Sequence, residues 1–308
     1  MALTLFNQRH TMRPRFTWNL GSRVLPLGGR TLIMGVLNVT PDSFSDGGRY
    51  FDTIAAVEHG LRLLDHGADI VDVGGESTRP GATTAGANPE FVAEEEELRR
   101  VLPVVRELKR RRPGAVVSID TYKSGVARAV VEAGAEIVND VSGFLWDPAM
   151  PATLAELGCG AVLMHTRGRP DEWRTLPAVD DMVALVCDEL RRSSERALSA
   201  GVARDRLVLD PGFGFGKRFE ENYPLLARFQ EFAALGFPLL AGPSRKSFIG
   251  RATSRAGSTT PAGERLVGSL AAAVICIMKG AHIVRVHDVK ETVEAAAMAD
   301  AVLNYQAR

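Results

Sequence analysis

The stretch from Val116 to Asp140, Val-Val-Ser-Ile-Asp-Thr-Tyr-Lys-Ser-Gly-Val-Ala-Arg-Ala-Val-Val-Glu-Ala-Gly-Ala-Glu-Ile-Val-Asn-Asp, decides the fold. It opens with a short apolar run, Val116–Ile119, that ends on Asp120. An amphipathic segment, Lys123–Ala133, follows, and Gly134 suits a left-handed helix C-cap. A second run, Glu136–Val138, then ends on Asn139 and Asp140. Strand, helix, glycine and strand, with a polar residue at each strand end, make one βα unit of a parallel sheet.

The same unit recurs along the chain. Short runs at Leu32–Leu37, Ile70–Val73, Ala161–Met164, Leu207–Leu209, Pro238–Leu240 and Ile283–Val286 complete a set of eight. Helical patterns at 53–66, 89–111, 148–157, 180–200, 221–235, 261–279 and 288–304 separate them. Gly67, Gly158, Gly201, Gly236 and Gly280 follow helices as Gly134 does. Eight alternating strands and helices predict a single (β/α)8 TIM barrel, occupying residues 31–308. Residues 1–30 read as an N-terminal arm or hairpin closing the bottom. The barrel carries extended loops after strands one and two, and loops of that length are usually functional.

Composition narrows the classes. The chain has 308 residues, 37 basic and 37 acidic, with no net charge and 45% hydrophobic content. That balance argues against broad nucleic-acid binding, which needs a positive field. The longest apolar stretch, Leu270–Met278, is too short to span a bilayer, so no membrane role is expected. Cys159, Cys187 and Cys276 lack metal-ligand spacing. An odd cysteine count and the absence of a signal-like apolar run after Arg9, Arg13 and Arg15 point to the cytoplasm.

In such a barrel the chemistry lies at the C-terminal ends of the strands. Asp120, Asn139 and Asp210 converge there. Inward carboxylates and amides suit an amino-substituted heterocycle such as a pterin, because paired N–H donors on a ring edge match a carboxylate. Asp140 is equally readable as a helix cap. Lys246, Arg285 and His287 follow strands seven and eight, where barrels often bind phosphate. Arg285 and His287 alternate along one strand and so face the same way. Asn38 ends the first strand; its amide oxygen suits Mg²⁺ beside a diphosphate, since Mg²⁺ borrows most of its ligands from phosphate and water. Thr78 and Arg79 in the second loop offer a hydroxyl and a guanidinium, though Arg79-Pro80-Gly81 also reads as a plain turn. The glycines at 212–216 do not form a Walker loop.

Two long motifs, Met34–Gly48 (MGVLNVTPDSFSDGG) and Asp69–Gly81 (DIVDVGGESTRPG), closely resemble dihydropteroate synthases. Ser118–Thr121, Asn139–Gly143, Asp210–Lys217, Ser244–Gly250 and Arg285–Asp288 extend the resemblance. It implies condensation of dihydropterin diphosphate with 4-aminobenzoate, with diphosphate leaving and Mg²⁺ assisting. By that likeness Asp120, Asn139, Asp210 and Lys246 line the pterin slot. Arg285 and His287 bind the β-phosphate side, and Asn38 is the metal-side ligand. Phe215, Lys246 and Ser247 border the aminobenzoate pocket with Pro80, and Phe213 is a weaker candidate. Thr78 and Arg79 belong to a mobile loop. The catalytic set expected is Asp120, Asp210, Lys246 and Arg79, and family members are commonly homodimers.

Overall fold

A computed structural model of the chain describes residues 13–39, 48–76, 92–173, 175–254 and 258–305. It opens with a two-stranded antiparallel hairpin, β1 (Phe16–Asn19) and β2 (Val24–Leu27), in the register Phe16↔Leu27. Eight parallel strands follow: β3 (Leu32–Asn38), β4 (Ile70–Gly74), β5 (Val116–Asp120), β6 (Ile137–Asp140), β7 (Gly160–Met164), β8 (Leu207–Asp210), β9 (Leu240–Ala241) and β10 (Ile283–Val286). Their order is β8-β7-β6-β5-β4-β3-β10-β9. A parallel bridge between Leu209 and Leu239 joins the two ends, with Leu209 N donating to the Pro238 carbonyl at 3.0 Å. The sheet therefore closes as a (β/α)8 barrel.

Helices α1 (Gly48–Asp65), α2 (Glu94–Arg111), α3 (Ser124–Glu132), α4 (Met150–Leu157), α5 (Met182–Ser199), α6 (Asn222–Ala227), α7 (Ser247–Ala252), α8 (Leu266–Met278) and α9 (Val289–Leu303) connect the strands. Outward residues such as Val71, Val117, Ile119, Val138 and Leu163 pack under Val104, Val126, Val186 and other helix residues in one continuous apolar shell. Gly158 ends α4 in the left-handed conformation, φ 61°, and turns the chain toward β7.

Two expectations need correction. The segment 221–235 is not one helix. It breaks at Arg228 into α6 and a 3-10 turn at Phe229–Leu235, and Phe229 and Phe232 are buried there. The six-residue α7, between Lys246 and the next helix, was not expected; the run is too short to show a period.

Period-two alternation explains the interior. Leu32, Ile70, Val116, Ile137, Val162, Val208, Leu240 and Ile283, one from each strand, gather around the fully buried Trp18 of the hairpin. The Trp18 indole N–H donates to the Arg206 carbonyl at 2.9 Å, so its polar atom is satisfied. Trp18 plugs the N-terminal end of the barrel. Two residues further along each strand come Met34, Asp72, Ser118, Asn139, Met164, Asp210, Gly242 and Arg285. The core thus changes from wholly apolar to mostly polar within one alternation step.

Candidate active site

The C-terminal mouth holds a cavity of about 290 Å³. Its lining includes Asn38, Asp120, Phe215, Lys246, Ser247, Arg285 and His287. These are seven of the residues singled out from the sequence. Asn139 and Asp210 face the same interior but are buried in the barrel wall rather than in the lining, 3% and 4% exposed. Thr78, Arg79 and Pro80 lie outside the described residues.

Arg285 is the centre of the polar network. Its Nε donates to Asp72 Oδ2 at 2.6 Å and its Nη2 to Asp120 Oδ2 at 2.6 Å. Asn139 Nδ2 donates to the same Asp72 oxygen at 3.0 Å. The sequence reading set Arg285 in an anion cradle apart from the acidic residues. Instead the guanidinium is gripped by two carboxylates, leaving only part of its fork for a ligand. Burial opposes its charge, but Asp72 and Asp120 hold its pKa above the ordinary arginine value. Burial also pushes the Asp120 carboxyl upward, against the pull of Arg285.

Asp72 was missed. It lies inside an apolar run, but it is two residues past Ile70, which parity aims inward. That step was the available signal. Its Oδ1 is buried without a hydrogen-bond partner.

Asp210 Oδ1 accepts from Gly212 N at 2.8 Å, and burial raises this carboxyl to about 6. Beyond it, the loop 211–217 wraps around Lys217. The buried Lys217 ammonium donates to the carbonyls of Gly212 at 2.6 Å and Phe215 at 3.1 Å. Burial pulls it down to about 7. Gly212, at φ 68°, must be glycine, because a Cβ would fall 1.9 Å from the His165 carbonyl oxygen. Phe215 forms a cavity wall, edge-on to Trp173 at 5.5 Å, with Lys246 Nζ 3.8 Å above its ring. Phe213, the weaker candidate, turns away and stacks on Phe229 and Phe248 in the outer shell.

Two strand-end residues also point outward. Asp140 Oδ1 accepts from Ser142 N and Oγ, and Oδ2 from Phe144 N. It holds a turn of its own loop and caps no helix, since α4 begins only at Met150, behind Ala149 and without a side-chain cap. His165 Nε2 pairs with Glu189 of α5 at 2.8 Å, behind the barrel wall.

The remaining rim is cationic. Arg245 and Arg265 join Lys246 and His287 in the lining, and neither arginine was singled out from the sequence. Ser244 Oγ and His287 Nδ1 lie 3.1 Å apart, linking the ends of β9 and β10. Asn38 and Asp120 flank Gly74. A Cβ there would meet Asp120 Oδ2 at 3.6 Å and Asn38 Oδ1 at 3.8 Å, so its absence leaves two hard oxygen donors around a small gap. Among the described residues no group of three His, Cys, Asp or Glu side chains could hold a metal. No helix among them is long and apolar enough to cross a membrane.

Comparison with known proteins gives one family. The profile of the family described as pterin binding enzyme matches residues 34–287. The dihydropteroate synthase of Escherichia coli K12 is 48% identical over 272 residues, 88% of this chain and 92% of that protein. The Xanthomonas albilineans dihydropteroate synthase solved with 4-aminobenzoic acid superposes with a TM-score of 0.85 at 43% identity, covering 95% of this chain and 100% of that one. The same enzyme solved with 7,8-dihydropteroate gives a TM-score of 0.81 at 41% identity, with the same coverage.

Proposed function

Because the chain belongs to the dihydropteroate synthase family of pterin-binding enzymes, we propose that it is a transferase of folate biosynthesis. It condenses (7,8-dihydropterin-6-yl)methyl diphosphate with 4-aminobenzoate to give 7,8-dihydropteroate and diphosphate. One observation carries this reading. Inward carboxylates, Asp120 and Asp210, stand at a cavity whose rim is built from Lys246, Arg245, Arg265 and His287. Such a site can take a ring rich in N–H donors at one end and an anion at the other.

Asp210 and Asn139, with Asp120, receive the ring N–H groups. Breaking the methylene carbon–oxygen bond sends the electron pair to the diphosphate and leaves a ring-stabilised cation. The negative charge of Asp120 and Asp210 stabilises that cation, while Lys246, Arg285 and His287 neutralise the leaving anion. The arylamine nitrogen is already free at neutral pH. It attacks the carbon and then loses a proton, so no strong general base is required. Phe215 and Ser247 wall the aminobenzoate, and keeping water away protects the cation from hydrolysis; Thr78 and Arg79, outside the described residues, are assigned to this site by the family resemblance alone.

Asn38 would hold Mg²⁺ through its amide oxygen, a hard donor in the cavity lining, with diphosphate and water supplying the other ligands. The bound ion supplies charge neutralisation on the diphosphate. A homodimer is supported by the apolar residues that α8 and α9 turn to solvent, Val267, Met298 and Val302. Three free cysteines fit a reducing compartment, the cytoplasm.

The test is turnover of purified protein with dihydropterin diphosphate and 4-aminobenzoate, reading diphosphate release and product mass. Stoichiometric product supports the reading. Tight pterin binding without product overturns it in favour of a pterin-binding protein without synthase activity.

A further inference from the structure

Arg245 is a non-glycine residue in the left-handed region, at φ 58°. Among the described non-glycine residues it shares a positive φ only with Phe144. A side chain there is strained, and such strain persists only where the surroundings over-determine it. Glycine would adopt this φ without cost. An arginine at the position needs a reason.

The reason lies in its fastenings. The backbone N–H of Arg245 donates to Ser269 Oγ at 2.9 Å. Its carbonyl accepts from Arg265 Nη1 at 2.8 Å. Its guanidinium forks onto Asp288, Nε to Oδ2 at 3.0 Å and Nη2 to Oδ1 at 2.5 Å. Planar bidentate pairs of this kind fix direction as well as distance. Asp288 directly follows His287, and Ser244 directly precedes Arg245. The contact of Ser244 Oγ with His287 Nδ1 is therefore a second rung beside the first. Asp288 makes no side-chain cap to α9, so its carboxylate is committed to Arg245 rather than to the helix. Two cavity-lining segments, one bearing Lys246 and Ser247 and the other Arg285 and His287, are tied at adjacent residues.

We propose that Arg245 is a positioning residue: its ion pair with Asp288 holds the strained turn that aims Lys246 over Phe215 and locks this turn to the end of β10. The inference rests on the proposed synthase reaction for its functional consequence. The lock itself is a property of the fold and is measurable without turnover. The lock supplies an order of events for binding. Lys246 and His287 keep a fixed spacing before substrate arrives, so the cationic rim meets the diphosphate preassembled.

The experiment compares Arg245→Ala, Arg245→Gly, Asp288→Asn and the double variant Arg245→Ala/Asp288→Asn in the full chain. Hydrogen exchange over residues 243–253 reads the lock. Arg245→Ala and Asp288→Asn should each speed exchange about tenfold or more, and the double variant should add little to either. Steady-state kinetics reads the consequence. Arg245→Ala should lower kcat and kcat/KM for the dihydropterin diphosphate by about tenfold to a hundredfold, and should raise KM for 4-aminobenzoate as well, because Lys246 and Ser247 lose their placement together. Arg245→Gly, relieved of the backbone strain, should recover part of that kcat. Unchanged exchange in Asp288→Asn, additive effects in the double variant, or Arg245→Gly no better than Arg245→Ala would each overturn the lock. Wild-type protein that makes no product would overturn the proposed function, while the exchange arm would still decide the lock.

Discussion

Asp210 and Arg285 face each other across Gly242. A Cβ built on Gly242 would lie 3.7 Å from Asp210 Oδ2 and 3.8 Å from Arg285 Cβ. The two charged residues come from strands separated by the whole of the β9 unit, yet they border one hollow at one end of the barrel. The gap between them is the space a single side-chain carbon would take.

That spacing makes Gly242→Ala informative. Both contacts would be ordinary van der Waals distances, so the variant should fold with an unchanged melting temperature. The added methyl occupies ligand space, and one misplaced methylene in a fitted pocket costs ~1–3 kcal/mol. Calorimetry with a pterin ligand should show affinity lower by tenfold or more. Wild-type affinity would mean that no ligand approaches this gap.

Burial of Asp210 makes the stability of the fold depend on pH. Burial raises its pKa in the folded chain to about 6, above the unfolded value of ~3.9. The folded state therefore holds the proton more tightly. The stability this confers is complete below about pH 4 and is lost as pH rises through about 6. Asp210→Asn is neutral at every pH. Its stability relative to wild type should grow from pH 4 to 6 and stay level above, by at most ~3 kcal/mol. Denaturant unfolding at several pH values checks this, and a difference independent of pH would refute it. The same variant should bind pterin far more weakly at pH 8. For wild type, pterin affinity should fall about tenfold per unit below pH 6, because the ring N–H groups need the carboxylate.

Removing Arg285 should be costly on two counts. Arg285→Met leaves the fully buried Asp72 and the pocket carboxylate Asp120 without their cation. Stripping one partner from a buried pair costs ~3–5 kcal/mol. Unfolding should show that loss, and turnover should vanish. Arg285→Lys should not restore either property, because an ammonium cannot bridge both carboxylates with one planar fork. Rescue by lysine would contradict the two-carboxylate grip.

Trp18→Ala should separate stability from chemistry. The indole is fully buried and contacts the apolar ring at the barrel floor. Its loss should destabilise by ~3–5 kcal/mol. Activity measured well below the lowered melting temperature should be close to wild type, since Trp18 lies at the opposite end from the cavity.

Much of this was readable from the chain. The eight strands announce themselves because each is a short apolar run following a glycine or a turn. Asn38, Asp120, Arg285 and His287 could be aimed at the mouth because strand alternation fixes direction. The residues that escaped are those whose role depends on tertiary geometry. Asp72 hides between valines and needs the barrel's register to be seen as inward. Phe213 and Phe215 are identical in type and two apart in sequence. Loop backbone, bent at Gly212 and Gly214, sends one to the outer shell and the other to the cavity wall. Arg245 and Arg265 act through backbone conformation and cross-loop bonds, which composition does not encode. The break at Arg228, where the backbone leaves helical geometry at φ −116° and ψ 20°, has no counterpart in the pattern, because Leu225, Phe229 and Phe232 keep the i, i+4, i+7 spacing of one helix face.

The plugged floor has a consequence for traffic. With the Trp18 indole sealing one end, the hollow defined by the described residues opens at the other. Both reactants enter, and both products leave, through the opening ringed by Lys246 and His287. Spent diphosphate lingering on that threshold would bar the next arrival.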